Sequence, residues 1–312
     1  MKKKTKVLQE LIHDGKCHLR PLVAIPLQAQ MAEALGYEVV GISGAYTAAY
    51  ILGMPDAGLI TMTEMVENAK RVCDATTIPV IADGDTGFGN AINVRRTVKE
   101  MIQAGAAAIF LEDQVAPKRC GFVKGKEVIP LEEAVGKIRA AVDVRNELDP
   151  DFVIMARTDA RTAVGGSLDE VIRRAQAFEA IGADIIYVEA VQGREEVKKI
   201  RRSIKCALAA SAWDMKPYPT LKEFTDLGLC LTLGVMFFEA GLIADYEMLK
   251  NMQEKGLEYW YEWRDKAQNH PASWQKIYDM VGFPKVREWE EKYLPKEQLD
   301  KYDKSGGLYE PR

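Results

Sequence analysis

The segment "ADGDTGFGN" holds two carboxylates, Asp83 and Asp85, separated by one glycine. Residues two apart on an extended strand share a face, so both acids can point at one ligand. The three glycines Gly84, Gly87 and Gly89 let the backbone bend sharply and approach that ligand closely. A dinucleotide-binding glycine loop is the alternative, but the glycine spacing is wrong for it. Carboxylates without a His or Cys pair form an oxygen-only site, which suits Mg²⁺ or Mn²⁺.

A second segment, "LEDQVAPKRCGF", ends an apolar run in two acids and later places a thiol beside two cations. Its first acid, Glu112, adds a third carboxylate to the predicted metal site. Lys118 and Arg119 would favour the thiolate of Cys120 and attract an anionic substrate. The connection over residues 115–130 is long, and such connections are usually lids or disordered. An incidental cysteine in a mobile loop is the alternative interpretation.

Eight short apolar runs supply the elements that must position these residues. Continuous Val, Ile and Ala without alternation is typical of strands buried on both faces of a parallel sheet. Helix-like segments lie between the runs, which predicts an α/β fold of the (β/α)8 TIM-barrel type, with a doubly wound open sheet as the alternative. The runs are "PLVAIPL", "EVVGISG", "PVIADGD", "AAIFLED", "FVIMART", "DIIYVEA", "CALAAS" and "GLCLTLG".

Polar residues stand at the ends of five consecutive runs, the second to the sixth. In a barrel all these ends converge on one face, where barrel enzymes have their active sites. The alternative is that each acid merely caps the following helix, but five consecutive ends favour one shared site. The residues are Ser43, Asp83, Asp85, Glu112, Asp113, Arg157, Asp159 and Glu189.

The composition narrows the class of protein. The net charge of −4 gives no basic field for nucleic acid. No apolar stretch suits a signal peptide or a membrane span. The five cysteines are scattered without CxxC spacing, which predicts free thiols in a reducing cytoplasm. Only three histidines occur, all near the ends, so acid–base work falls to carboxylates, Cys, Tyr or Lys.

The composition changes towards the C-terminus, where four of the five tryptophans follow Glu247. We predict a catalytic barrel over residues 1–246 and a helical extension with a loose tail over residues 247–312. An extension this aromatic must cover something, and packing on its own barrel is one alternative.

Four segments resemble, in order and spacing, the isocitrate lyase/phosphoenolpyruvate mutase superfamily. They are "LGMPDAG" (Leu52–Gly58), "DGDTGFG" (Asp83–Gly89), "EDQVAPKRCG" (Glu112–Gly121) and "ARTDA" (Ala156–Ala160). The resemblance covers the chain from about Ser43 to the C-terminal helices. The KRCG element resembles the carbon–carbon lyase branch, which includes methylisocitrate and dimethylmalate lyases. Phosphoenolpyruvate mutases and phosphonopyruvate hydrolases lack this cysteine.

The resemblance implies the site residues and the assembly. Cys120 would be the general acid, with Arg157 and Glu189 as further catalytic groups. Mg²⁺ would be bound by Asp83 and Asp85, with Asp56 and Glu112 as supporting partners. A carboxylate substrate would be held by Ser43, Gly44, Ala45, Gly121, Arg157 and Glu189. The gating loop would comprise Lys118, Arg119, Cys120 and Gly121. The family also implies helices exchanged between subunits of a dimer, with dimers pairing into a homotetramer.

Two departures from the lyase pattern affect the general base. Phe122 stands where lyases usually have histidine, and Gly41 stands where many have tyrosine. The base is then Tyr46 or a metal-linked carboxylate.

Further departures affect the substrate. Alanines align with polar residues that hold extra carboxylates in methylisocitrate lyases, and they predict a more apolar pocket. A tricarboxylate would bury an unpaired charge there, at a cost of several kcal/mol. The aligned alanines are Ala210, Ala212 and Ala240, with Val235, Met236, Phe237 and Phe238 alongside.

We therefore predict a Mg²⁺-dependent lyase that cleaves a 2,3-dimethylmalate-like 2-hydroxy dicarboxylate to pyruvate and a short carboxylic acid. Oxaloacetate hydrolysis or decarboxylation and methylisocitrate cleavage are alternatives on the same scaffold. Phosphorus–carbon chemistry and a non-catalytic anion-binding protein rank lower.

Overall fold

The computed structural model describes residues 2–211, 215–232, 237–302 and 304–307. The strands are β1 (Leu22–Val23), β2 (Val40–Ile42), β3 (Val80–Asp83), β4 (Ala108–Glu112), β5 (Val153–Thr158), β6 (Ile185–Val188), β7 (Ala207–Ala210) and β8 (Leu231–Thr232). The helices up to β8 are α1 (Lys4–Leu11), α2 (Pro26–Ala34), α3 (Gly44–Thr47), α4 (Met62–Ala75), α5 (Ala91–Gln103), α6 (Leu131–Leu148), α7 (Leu168–Ala180), α8 (Arg194–Ser203) and α9 (Leu221–Asp226), with a π-helical turn at Ala48–Leu52. After β8 come α10 (Phe237–Lys255), α11 (Leu257–Ala267), α12 (Trp274–Met280), α13 (Phe283–Tyr293) and α14 (Lys296–Tyr302).

The eight strands form one parallel sheet in sequence order, β1 to β8. His18 joins the two edges of this sheet through a parallel bridge to Leu231. Its amide donates to Cys230 O at 2.9 Å, and its carbonyl accepts from Thr232 N at 3.1 Å. The sheet curls back on itself, so the (β/α)8 prediction is confirmed and the open doubly wound sheet is wrong.

The strands are buried on both faces, as their continuous apolar runs predict. One cluster of buried side chains fills the layer between the sheet and its helices. A second cluster lies inside the barrel, where Ile81 and Met155 pack in the same group as Leu8 and Ile12. Because Leu8 belongs to α1 and Ile12 follows it, this helix closes the barrel interior at the amino ends of the strands. The open end is then the carboxyl end, where the predicted site residues stand.

Local capping explains where several helices begin. Thr61 precedes α4 and forms a capping box with Glu64, whose backbone N lies 3.3 Å from Thr61 Oγ1 and whose carboxylate accepts from Thr61 N at 2.8 Å. Asn90 and Asn93 form the same arrangement at α5. Each cap contributes about 1 kcal/mol and fixes the length of the preceding βα loop.

The chain separates into two compact units, residues 1–238 and 239–312. No described residue of the second unit is buried. The boundary predicted from composition, between residues 246 and 247, stays a prediction. Among the described helices, none combines the length and the apolar character needed to cross a membrane.

Candidate active site

A cavity lies at the carboxyl ends of the strands, within the first unit. Of the described residues, its lining includes most of the predicted site: Ser43, Ala45, Asp56, Asp83, Lys118, Cys120, Gly121, Arg157 and Glu189. Gly44, Asp85 and Glu112 lie directly behind this lining, where they contact its residues. Arg119, predicted as part of the gating loop, is exposed.

The chain turns sharply between the two predicted metal ligands. Asp83 ends β3, and Gly84 N donates to Phe110 O at 2.9 Å. Asp85 then adopts a left-handed backbone with φ of 43°, and its amide donates to Asp83 Oδ1 at 2.9 Å. The expectation that both acids share one face of an extended strand is wrong, because the strand ends at the first of them. A strained residue at this point is typical of a functional site.

Gly44 explains how both carboxylates can still lie together. Its amide donates to Asp83 Oδ2 at 2.7 Å. A Cβ atom at this position would lie 2.8 Å from Asp83 Oδ2 and 3.1 Å from Asp85 Oδ1. Only glycine allows the start of α3 to approach the two acids this closely. The amide predicted to hold the substrate is therefore engaged with Asp83 in this structure.

The carboxylate cluster is buried and rich in negative charge. Burial raises the pKa of Asp83, of Asp85 and of Glu112. Within the described part of the chain, neither oxygen of Glu112 accepts a hydrogen bond. Lys118 Nζ lies 2.5 Å from Asp56 Oδ1 and 3.0 Å from Asp85 Oδ1, so an ammonium group partly neutralises the cluster.

The donor set fits a hard divalent cation. The described residues include no group of three or more His, Cys, Asp or Glu side chains arranged to hold a metal. Mg²⁺ does not require such a group, because it keeps several waters and takes one or two carboxylates together with substrate oxygens. Asp83 and Asp85 would supply those carboxylates, and the oxygens of Glu112 could accept hydrogen bonds from the bound waters.

The loop between β4 and α6 is held over the carboxylates by several contacts. Cys120 N donates to Asp56 O at 3.1 Å. Gln114 brackets Arg119, accepting from its amide at 3.0 Å and donating to its carbonyl at 2.9 Å. Lys126 Nζ donates to Gly121 O at 2.7 Å. The loop is therefore an ordered cover in this structure.

The surroundings of Cys120 favour the neutral thiol. Burial raises its pKa, and the nearby Asp56 carboxylate adds to the effect. The charge of Lys118 lowers this pKa, as expected, but burial outweighs it, and Lys118 is also paired with Asp56 and Asp85. The thiolate expectation is therefore wrong in direction. A half-buried protonated thiol suits a group that gives up a proton.

Arg157 links the acids of three neighbouring strands. Its Nε lies 2.8 Å from Asp159 Oδ2 and 3.4 Å from Glu112 Oε2, and its Nη2 lies 3.6 Å from Glu189 Oε2. A Cβ atom on Gly121 would lie 2.9 Å from both Arg157 Nη2 and Glu189 Cδ. The glycine after the cysteine thus lets the loop rest directly on this pair.

Among the described residues, the polar lining residues Tyr187 and Arg20 were not predicted, nor was Ser211 beside the lining. Tyr187 donates through its hydroxyl to Glu189 Oε2 at 2.9 Å, and Ser211 Oγ donates to Glu189 Oε1 at 3.1 Å, which orients that carboxylate. Tyr187 lies two residues before Glu189 on the same strand face, and this alternation is a signal that could have identified it. Arg20, which precedes β1, also lines the cavity. In the sequence, the only sign of a role for Arg20 is that it is a cation next to the first apolar run.

Among the described residues, the apolar part of the lining extends to side chains that were not predicted. It includes Leu22, Phe110 and Met155, which are buried inside the barrel. Ala210 is buried in β7 and Ala240 is exposed, and neither belongs to the described lining. Phe238 stacks on Tyr46, which lines the cavity, with ring centres 4.1 Å apart. Phe237 is partly buried against the cluster between the sheet and its helices and does not belong to the described lining. Ala212, Val235 and Met236 lie outside the described residues.

Comparison with known proteins gives matches along most of the chain. Residues 9–244 match the family model for phosphoenolpyruvate phosphomutase. The 2,3-dimethylmalate lyase of Eubacterium barkeri is 39% identical over 292 residues, which cover 92% of this chain and 96% of that protein. The 2-methylisocitrate lyase of Aeropyrum pernix is 40% identical over 280 residues, which cover 89% and 87%.

Solved structures show the same fold. Oxaloacetate acetylhydrolase in complex with the inhibitor 3,3-difluorooxalacetate superposes with a TM-score of 0.82 at 29% identity, over 93% of this chain and 97% of the other. Phosphonopyruvate hydrolase in complex with oxalate and Mg²⁺ gives a TM-score of 0.81 at 30% identity, over 94% and 100%. The resemblance found in the sequence is confirmed, as is the prediction of an enzyme of the carbon–carbon lyase type. The chain belongs to the phosphoenolpyruvate mutase/isocitrate lyase superfamily.

Proposed function

We propose that this protein is a Mg²⁺-dependent lyase that cleaves a 2-hydroxy dicarboxylate with alkyl substituents, of the 2,3-dimethylmalate kind, to pyruvate and propionate. The observation that carries the proposal is the protonated thiol of Cys120 held above a buried oxygen-only carboxylate cluster. The name of the relative from Eubacterium barkeri supports this substrate class.

The proposed cleavage breaks the bond between C2 and C3 of the substrate. The 2-hydroxyl loses its proton and becomes the keto oxygen of pyruvate, and the bonding electrons pass to C3 and its carboxylate. Cys120 then delivers its thiol proton to C3, which completes propionate. Bound Mg²⁺ would supply the charge that makes the 2-hydroxyl more acidic.

The protein's own groups provide the acid and the base. Burial raises the pKa of the Glu112 and Asp83 carboxyl groups, so their ionised forms are stronger bases than exposed carboxylates, and we propose that one of them accepts the hydroxyl proton. Tyr46 lines the same cavity and is the alternative base. The loop carrying Cys120 covers the site and limits access of water to the carbanion-like intermediate.

The lining supports a dicarboxylate over a tricarboxylate. Among the described residues, the cavity lining has three cations, Arg20, Lys118 and Arg157. Lys118 and Arg157 are already paired with carboxylates of the protein. Leu22 and Met155 offer alkyl groups a place but offer a third carboxylate no partner. Alkyl substituents on a four-carbon diacid fit this combination.

The test is an assay of the purified protein with Mg²⁺ against 2,3-dimethylmalate, 2-methylisocitrate and oxaloacetate, with products followed by NMR. We expect pyruvate and propionate from dimethylmalate, and loss of turnover with EDTA. Cys120→Ala should lower kcat by about 10²- to 10⁴-fold, the usual contribution of a general acid, with little change in folding. Val123→Ala, in the same loop, is the control. Turnover of 2-methylisocitrate alone would show that the substrate assignment is wrong.

Oxaloacetate hydrolysis is the second candidate, because the similarity to oxaloacetate acetylhydrolase covers nearly the whole chain. In that case the same assay yields oxalate and acetate from oxaloacetate and leaves dimethylmalate intact.

We also propose that the protein works as a homotetramer in the cytoplasm. The tail exposes large aromatic side chains: Trp263 is 49% exposed, Trp274 43% and Trp289 52%. Exposed apolar surface of this kind marks protein–protein contacts. The five free cysteines support a reducing compartment.

A further inference from the structure

Arg20 is a buried cation inside the cavity that has no anionic partner in the described protein. Its side chain is 2% exposed, yet its residue lines the cavity. Within the described ranges, neither Nε nor Nη1 donates a hydrogen bond. The ring of Phe110 lies beneath it, with its centre 6.0 Å from Cζ. Such a group is costly to bury, so its burial calls for an anion that the described residues do not provide.

The other large buried cations near the site are all paired. Lys118 contacts Asp56 and Asp85, and Lys126 Nζ lies 3.0 Å from Asp159 Oδ1. Arg157 is hydrogen-bonded to Asp159 through both Nε and Nη2. Arg20 therefore differs from these three cations in having no carboxylate partner among the described residues.

The backbone is shaped to admit this side chain. Gly41 of β2 pairs with Leu22 of β1, and a Cβ atom on Gly41 would lie 3.2 Å from Arg20 Cδ and 3.3 Å from Arg20 Nε. These distances are too short for most side chains, so Gly41 leaves the room that the guanidinium occupies. Because Arg20 precedes β1, it enters the cavity from the amino-terminal side, opposite the loop that carries Cys120.

We propose that Arg20 binds the second carboxylate of the substrate, the one attached to C3, while the 2-hydroxy acid end lies at the carboxylates. This assignment rests on the proposed lyase function. During cleavage the electrons of the C2–C3 bond flow into that second carboxylate, which gains negative charge until C3 is protonated. A guanidinium fixed beside it stabilises this charge and selects a diacid over a monoacid.

The test measures binding without turnover, by calorimetry in the presence of Mg²⁺. Oxalate provides only the acid end, whereas 3,3-difluorooxalacetate also provides the second carboxylate. Arg20→Met should weaken binding of difluorooxalacetate by roughly 10- to 100-fold and leave oxalate within about 2-fold. Arg145→Met removes a guanidinium that is paired with Asp184, away from the cavity, and should change neither affinity.

Equal effects of Arg20→Met on the two ligands, or no effect on either, would overturn the assignment. So would wild-type protein that binds oxalate but not difluorooxalacetate. If Arg20→Met does not fold, Arg20→Lys decides: it keeps the charge and loses the planar fork, so it should lower the ratio of the two affinities at least about 3-fold. An unchanged ratio contradicts the assignment. Selective loss of difluorooxalacetate binding in a protein that cleaves none of the three substrates would support Arg20 and refute the lyase proposal.

Discussion

At the residue scale, the site consists of ionisable side chains whose burial disfavours their charged forms. The three carboxylates at the cavity, Asp83, Asp85 and Glu112, are buried, Lys118 neutralises them only in part, and the pKa of each is raised. Cys120 is protonated for the same reason. The site therefore combines groups that accept a proton with a group that releases one, as a cleavage followed by protonation requires.

The protonation state of Cys120 can be tested through its reactivity. Because burial raises the pKa of the thiol, the reactive thiolate forms only at higher pH than in free cysteine. We expect the alkylation rate of Cys120 by iodoacetamide, followed by mass spectrometry of its peptide, to be slower than that of free cysteine at pH 8. The rate should still be rising where the rate for free cysteine has levelled off. A profile shifted to lower pH would contradict the structural environment described above.

At the element scale, the β4–α6 loop is the part that assembles the site. Lys126 anchors this loop, because its Nζ donates to both Gly121 O and Asp159 Oδ1. The Lys126 side chain is only 2% exposed. Gln114, near the start of the loop, fixes it through two hydrogen bonds between its side chain and the backbone of Arg119. Since both contacts fix the backbone beside Cys120, the position of the thiol depends on residues that do not touch the substrate.

Lys126→Met should loosen this loop without altering the carboxylates of the cavity. Asp159 keeps its two hydrogen bonds from Arg157, so we expect the barrel to remain folded. Turnover should fall by about 10-fold or more, because misplaced catalytic groups lose rate steeply, and Cys120 should be alkylated faster. Lys124→Met, at an exposed position of the same loop, is the matched control. Unchanged turnover in Lys126→Met would show that the loop does not need this anchor.

At the scale of the whole molecule, the two units differ in how they are stabilised. The barrel unit has extensive buried clusters. The second unit has no buried residue among those described, although it carries many aromatic side chains. We propose that this helical segment gains stability by covering a second chain.

The proposed tetramer is tested by light scattering coupled to size-exclusion chromatography. We expect a mass four times that of one chain. Trp263→Asp should shift the protein to smaller species, since it places a charge on an exposed aromatic surface. Lys266→Asp, in the same helix, is the control. A wild-type monomer at micromolar concentration would rule out the proposed assembly.

The barrel and much of the candidate site could be predicted from the sequence because they follow from local patterns. Eight apolar runs separated by helical segments specify a parallel α/β fold, and the polar residue after each run then falls on one face. Asp83, Glu112, Arg157 and Glu189 were identified in this way, and the KRCG element added Cys120. The family followed from the same segments.

The partners of each side chain were decided only by the tertiary structure. Lys118 pairs with Asp56 and Asp85, which come from earlier parts of the chain, and burial raises the pKa of Cys120 more than the charge of Lys118 lowers it. Arg20 stands before a strand, where the pattern of polar strand ends gives no sign of it, and it reaches the cavity only because Gly41 of the next strand has no side chain. Sequence patterns report local geometry, whereas charge balance and burial depend on which distant segments pack together. The strands, the helices and the carboxylate cluster could therefore be predicted from the sequence. The raised pKa of the Cys120 thiol and the unpaired guanidinium of Arg20 were decided by how the barrel packs.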